Sequence, residues 1–255
     1  MTFSSDFFKF IKKKIMLDMT LNSKAKIFLA DERGCDETEW YRSYSTFNFS
    51  KYFNEHKKPF ENLYILNDNT LAGGRSSNII IEKNSLFLLL PVVGAVHYKD
   101  AFGYENTVHA GQLHVSDLHA GSAIEVSNPF KNELINFLEI LIEVELSDTT
   151  SKPLICSFDL NENKNELIAL LTAANSTQQA KNPLTSIGKF SGREEAIYRL
   201  KNKQNSLFIF VIQGVFEVQG RLLHARDSLG LWNLFADIEL EALSNDAVVL
   251  VIELN

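Results

Sequence analysis

The sequence predicts an all-β protein made of two small barrels in one chain, and three observations carry that expectation. Short apolar or β-branched runs bounded by glycines and polar clusters recur from "NIIIEKNSLFLLLPVVGAVHYKD" to "DAVVLVIEL", and such runs read as strands. The glycine-punctuated pattern around Gly94 and Gly111 returns around Gly214 and Gly220, so the second half repeats the organisation of the first. A chain of 255 residues, 45% hydrophobic and 22% charged, can bury one large core or two modest ones.

Along the chain, residues 1–23 form an N-terminal extension or a short helix. Its "DFFKFIKKKIMLDM" sets Phe7, Phe8, Phe10, Ile11 and Ile15 beside Lys9, Lys12, Lys13 and Lys14. A basic amphipathic helix at a membrane surface, a helix packed on the barrel, and an extension ahead of an internal start at Met19 all stay open. A secretory signal does not, because no longer apolar core or small-residue cleavage site follows the charges. Residues 24–146 make the first barrel, with strand, turn, strand and glycine turn in "NIIIEKNSLFLLLPVVGAVHYKD" and further strands in "SAIEVSNP" and "LINFLEILIEVEL". The longest apolar run, Leu86 to Val96, is too short to cross a bilayer and contains Pro91 and Gly94. The polar, proline-ended "SDTTSKP" at 147–153 is the linker, and residues 154–255 make the second barrel. There "NELIALLTAAN" aligns Leu167, Leu170 and Leu171 on one face of a short helix, ahead of clear strands in "SLFIFVIQGVFEVQG" and "DAVVLVIEL".

Several function classes drop out on composition. A net charge of −7 argues against a general nucleic-acid-binding surface. Cys35 and Cys156 stand far apart and outside any zinc-knuckle or CxxC spacing, so reduced thiols and a cytoplasmic location are expected. No G-x-S-x-G elbow is present, and "AGGRSS" lacks the spacing of a phosphate loop and reads as a turn into a strand.

The run "ADERGCDETEWYRSYSTFNFSKYFNEHKKPFENLYILNDNTLAGGR" resembles the opening of the pirin family, through Arg33, Gly34, Trp40, Thr46, Phe47, Phe49, Tyr52, Asn67, Asp68 and Gly74 in that order. The run "LFIFVIQGVFEVQGRLLHARDSLGLWN" resembles the second cupin of the bacterial branch known for quercetin 2,3-dioxygenase. The resemblance spans residues 26–255 and implies a bicupin, with iron or a similar divalent metal held in the first cupin by His-x-His from one strand and His-x-Glu from another. Residues i and i+2 share a face of a strand, so each strand can offer two ligands to one ion.

Alignment through Gly74 and Gly94 sets the first pair on Ile80 and Glu82, and alignment through Gly111 and Gly121 sets the second on Ile124 and Val126. Aliphatic groups have no lone pair, and one carboxylate cannot fix a transition metal for oxygen activation. No His-x-His occurs anywhere in the chain. No cofactor is therefore expected, and these residues would line an apolar ligand site instead. The remaining histidines include His97 and His114, both expected to face outward, while His97, His109 and His119 together are the candidates for a displaced metal site. Two functions follow: a non-catalytic module binding a small apolar ligand or a protein partner, and a quercetin 2,3-dioxygenase-like oxidoreductase using an atypical site. The missing ligands favour the first; Glu82 keeps the second open, since a buried carboxylate needs a partner.

Overall fold

The computed structural model describes residues 24–146, 152–172, 174, 183–234 and 236–255, and these form antiparallel strands with a single 3-10 turn at Ala30–Glu32. The strands make four sheets. The first small sheet runs β5 (Ser76–Ile80), β10 (Ala123–Ser127), β7 (Ala95–Asp100), β8 (Glu105–His109). Facing it is a larger sheet in the order β12 (Leu154–Ser157), β9 (Gln112–Leu118), β6 (Ser85–Val93), β11 (Ile135–Glu143), β4 (Leu63–Leu71), β3 (Tyr41–Ser45), β2 (Gly34–Glu37). The second half has a large sheet of β1 (Lys24–Phe28), β19 (Ser228–Trp232), β16 (Ser206–Gln213), β21 (Ala247–Leu254), β14 (Leu184–Phe190) and β13 (Leu167–Leu171). Its small sheet is β15 (Glu195–Tyr198), β20 (Ile238–Ala242), β17 (Phe216–Val218) and β18 (Arg221–Leu223). The protein is all-β, with the two double-sheet cupin units expected of it.

Alternation along single strands shows how the layers stack. On β6, Phe87 and Leu89 join the core inside the first unit, whereas Leu86, Leu88 and Leu90 join a core shared with the second half. On β21, Val249 and Val251 face the interior of the second unit, and Leu250 and Ile252 face the shared core. The two large sheets thus lie back to back, which is why their strands read as unbroken apolar runs. Each fully buried aliphatic or aromatic side chain there contributes about 1.5–3 kcal/mol. Phe28, Phe47 and Phe60 gather round Phe208 at 5.3–5.9 Å between ring centroids, joining elements from both halves.

The halves also exchange strands, which corrects the expected boundaries at 24 and 154. β1 pairs with β19 in the sheet of the second half, and β12, just past the expected linker, pairs with β9 in the first. Each exchanged strand carries a buried or half-buried residue into the shared core, Phe28 from β1 and Leu154 and Cys156 from β12. Of the linker, 147–151 lies outside the described residues, as does the whole 1–23 segment. The helix expected over "NELIALLTAAN" is instead β13, bulged against β14, because Leu170 and Leu171 cover the open edge of the shared core. Both cysteines are free.

Several of the residues that carry the family resemblance serve this architecture. Asp68 accepts from Arg33 at 3.2 Å and pairs ionically with Arg226 at 3.3 Å, and its second oxygen accepts from Asn136 at 2.7 Å. Arg226 in turn donates to Asn136, so a turn of the second half is clasped to β4 and β11 of the first. Nearby, Asp227 accepts from the Ala30 backbone at 2.7 Å, fixing the chain that leaves β1. Gly34 is required because a Cβ there would lie 2.3 Å from the Tyr52 ring, whose hydroxyl donates to the Glu32 carbonyl.

Removing one member of a buried ion cluster strands the others, so Asp68→Ala is expected to lower the unfolding free energy by about 3–5 kcal/mol in urea titrations. Glu143→Ala, which breaks a half-exposed pair with Lys83, is expected to cost under about 1 kcal/mol.

Candidate functional site

The interior of the first unit is where the family resemblance places its chemistry, and strand pairing decides which side chains reach it. β10 runs without a bulge against β5, with Ile79 opposite Ile124 and Ile80 opposite Ala123. Directly paired residues share a face. Ile124 and Val126 are each 1% exposed and point inward, so their neighbours on the inner face are Ile79 and Ser77.

This corrects part of the sequence expectation. Ile80 is 71% exposed and Glu82 is also exposed, so both point away from the interior. Counting from Gly74 was one residue out for this strand, and a one-residue slip reverses every side chain. The inward residues of that segment are Ile79 and the fully buried Ile81. The wall of the small sheet is therefore aliphatic at Ile79, Ile81, Ile124 and Val126, with no lone pair to offer a metal.

Polar groups instead occupy the opposite wall, on the large sheet. On β11, Glu139 stands between Phe137 and Leu141 of the interior core and is 2% exposed. Asn69 of β4 donates to Glu139 Oε2 at 2.9 Å, and the Tyr41 hydroxyl of β3 donates to Asn69 Oδ1 at 3.1 Å. Glu139 Oε1 has no hydrogen-bond partner. Burial pushes this carboxyl up to about 7, and the Asn69 amide only partly opposes the rise. Burial, then the nearby Glu139, also raises the Tyr41 hydroxyl.

A second polar group sits on β9, and it overturns the expectation that His114 faces outward. Leu113 and Val115 belong to the shared core, so the other face of β9 turns into the first unit. His114 is 0% exposed there, against the Tyr98 ring at 4.2 Å, and neither ring nitrogen has a hydrogen-bond partner. Burial lowers its pKa to about 4, which keeps the imidazole neutral. Burial also raises the Tyr98 hydroxyl to about 12, with Ser116 opposing the shift. The apolar-polar alternation of "QLHVSDL" had suggested a polar face in water; the strand is covered on both sides. A charged or imidazole side chain at inward parity in such a strand is the signal that finds Glu139 and His114.

The three histidines considered for a displaced metal site do not converge into one. His97 is half-buried on the outer face of β7, bonded to Thr107 at 3.1 Å, while His109 is exposed at the end of β8. His119 is half-buried in a turn. Among the described residues, no three His, Cys, Asp or Glu side chains are grouped to hold a metal ion.

Residues 176–254 match the family model of the quercetinase C-terminal cupin domain. A quercetin 2,3-dioxygenase of Escherichia coli strain K12 is 23% identical over 221 residues, 87% of this chain and 95% of the relative. The crystal structure of YhhW from Escherichia coli matches with a TM-score of 0.79 at 20% identity, covering 91% of this chain and 98% of that one. The structure of that bacterial pirin in complex with nickel(II) matches with a TM-score of 0.78 at 21% identity, covering 91% and 99%. The family match thus falls in the second half, the relative is similar along most of the chain, and the fold is like that of the solved bacterial pirin.

Two outcomes check the placement of these residues. Ile124→His is expected to cost about 2–3 kcal/mol in urea unfolding, as a buried polar group without a partner, whereas Ile80→His stays within about 0.5 kcal/mol. Glu139 has a folded pKa above its ordinary value, so the folded state prefers the protonated acid. Its contribution to stability is fully present below about pH 4.5 and is lost as pH rises through about 7. Glu139→Gln is therefore expected to gain on the parent protein between those limits, by up to roughly 3 kcal/mol at pH 8, measured as the difference between the two stability profiles.

Proposed function

We propose that this pirin-like bicupin is a metal-free binding module that takes a small apolar ligand or a protein partner and does not catalyse metal-dependent oxidation. The observation that supports the reading is the aliphatic lining of Ile79, Ile81, Ile124 and Val126, two of which, Ile124 and Val126, stand at positions where the family resemblance implies imidazole and carboxylate. Iron or nickel prefers nitrogen and oxygen donors in a fixed geometry, and these four side chains supply none. Among the described residues, no helix is long and apolar enough to cross a membrane. A cytoplasmic location fits free cysteines and belongs to the same proposal.

One observation favours a second reading. Glu139 and His114 are buried in the same interior with polar atoms lacking partners, which is costly and often marks a functional position. They would give a quercetin 2,3-dioxygenase-like oxidoreductase a different donor set, on the large sheet. Two donors without a third do not close a site that activates oxygen, so the binding module is the stronger reading.

Elemental analysis of the whole chain purified without added metal is expected to find no stoichiometric iron, nickel, manganese or zinc. Adding nickel(II) or iron(II) is expected to leave the melting temperature unchanged and to give no flavonol oxidation. A metal bound at a hundredfold over its Kd would add about 2.7 kcal/mol of stability. One tightly held ion per chain with turnover would establish the oxidoreductase.

A further inference from the structure

We infer that a cleft between the two halves is a binding site for an uncharged, largely apolar compound that carries a hydroxyl group at one end. The cleft has a volume of about 400 Å³ and lies at one margin of the shared core. That falls within the usual range for small-molecule sites. It does not depend on the fate of the first barrel, since a metal bound there would leave the cleft as it is.

A feature repeated in both halves opens it. β6 bulges against β11 so that Val93 and Pro91 pair with successive residues and Val92 is left over. β16 bulges against β21 in the same way, and Ile212 is left over between Val211 and Gln213. Each spare residue stands two positions before a glycine of positive φ, Gly94 at 81° and Gly214 at 79°. A bulge bends its strand and strengthens the local twist. Here the two bulged strands face each other across the shared core, and both spare side chains line the cleft.

The walls sort into an apolar body and a polar end. Leu90, Val92, Ile187, Ile212 and Val248 come from the two large sheets, and Phe158 closes the side after β12. At the other end, Lys189 Nζ donates to Asn161 Oδ1 at 2.9 Å and pairs with Asp246 at 3.3 Å. Gln213 and Asp159 complete this end. The ammonium and amides are donors and the carboxylates are acceptors, and Lys189 and Lys164, both paired with Asp246, are balanced by that carboxylate together with Asp159. A charged ligand would break that balance for little gain, whereas a hydroxyl both donates and accepts and can join the pattern intact.

The test uses 2-naphthol as probe, with 2-methoxynaphthalene and naphthalene-2-sulfonate for comparison, titrated calorimetrically against the whole chain. Saturable binding of one 2-naphthol per chain is expected, at least tenfold tighter than either comparison compound. Ile212→Trp fills the cleft from the second half and is expected to weaken 2-naphthol at least tenfold, while Leu222→Ala, at an exposed site, leaves it unchanged. Should Ile212→Trp fail to fold, Val92→Trp fills the cleft from the first half with the same expected loss. Absence of saturable binding, or binding indifferent to the cleft-filling change in a folded variant, overturns the site. Equal affinity for the methoxy or sulfonate compound overturns the ligand class.

Discussion

The structure depends on one constraint: the two large sheets are packed back to back, so their central strands have no face left for water. Leu88 and Ile140 of the first half and Phe210 and Leu250 of the second meet in one core, while their sequence neighbours fill the two interiors. The exchange of β1 and β12 extends each large sheet with a strand from the other half of the chain. Neither half closes its own sheet without the other. The Asp68 cluster, an ionic joint between them, then sets which turns meet. Its cost of desolvation is offset by ionic hydrogen bonds on both carboxylate oxygens.

That packing also decides where polar chemistry can sit. Within the first interior, the small sheet contributes Ile79, Ile81, Ile124 and Val126, and the large sheet contributes Asn69, Glu139 and His114. A metal held from the small sheet would need donors there, and burying unpaired donors in their stead would be unfavourable. Aliphatic side chains are the stable alternative, since each adds apolar burial. The large-sheet groups are harder to explain by stability alone. Glu139 has one satisfied oxygen and one unsatisfied, and His114 has two bare nitrogens. A neutral acid and a neutral imidazole are the forms that such surroundings tolerate.

Much of the fold was legible because strand length, glycine turns and repetition are local properties. The runs holding β5, β6, β7 and β21, and the matching turns at Gly94 and Gly214, could all be read directly. The parity of a strand is less local. Ile124 and Val126 were set inside by counting to a nearby glycine, but the count to Ile80 failed by one, and only the pairing of Ile79 with Ile124 resolves it. His114 misled for a related reason: a polar residue between apolar ones looks solvent-facing until the second sheet is known to cover the leucines. The β13 segment has leucines at a spacing that suits a helix, yet its pairing with β14 wins. Strand exchange and the paired bulges leave no mark in a single sequence, because each depends on contacts between distant segments.

The central proposal is that the first interior holds no metal, its small sheet presenting aliphatic packing at Ile79, Ile81, Ile124 and Val126. Anomalous diffraction at the nickel edge, from crystals of the whole chain soaked in nickel(II), tests this most directly, because it locates an ion independently of any activity. The account expects no anomalous peak between the strands that carry Ile79, Ile81, Ile124 and Val126. A single ordered peak in that interior, within coordinating distance of Glu139, His114 or any other side-chain donor, would contradict it.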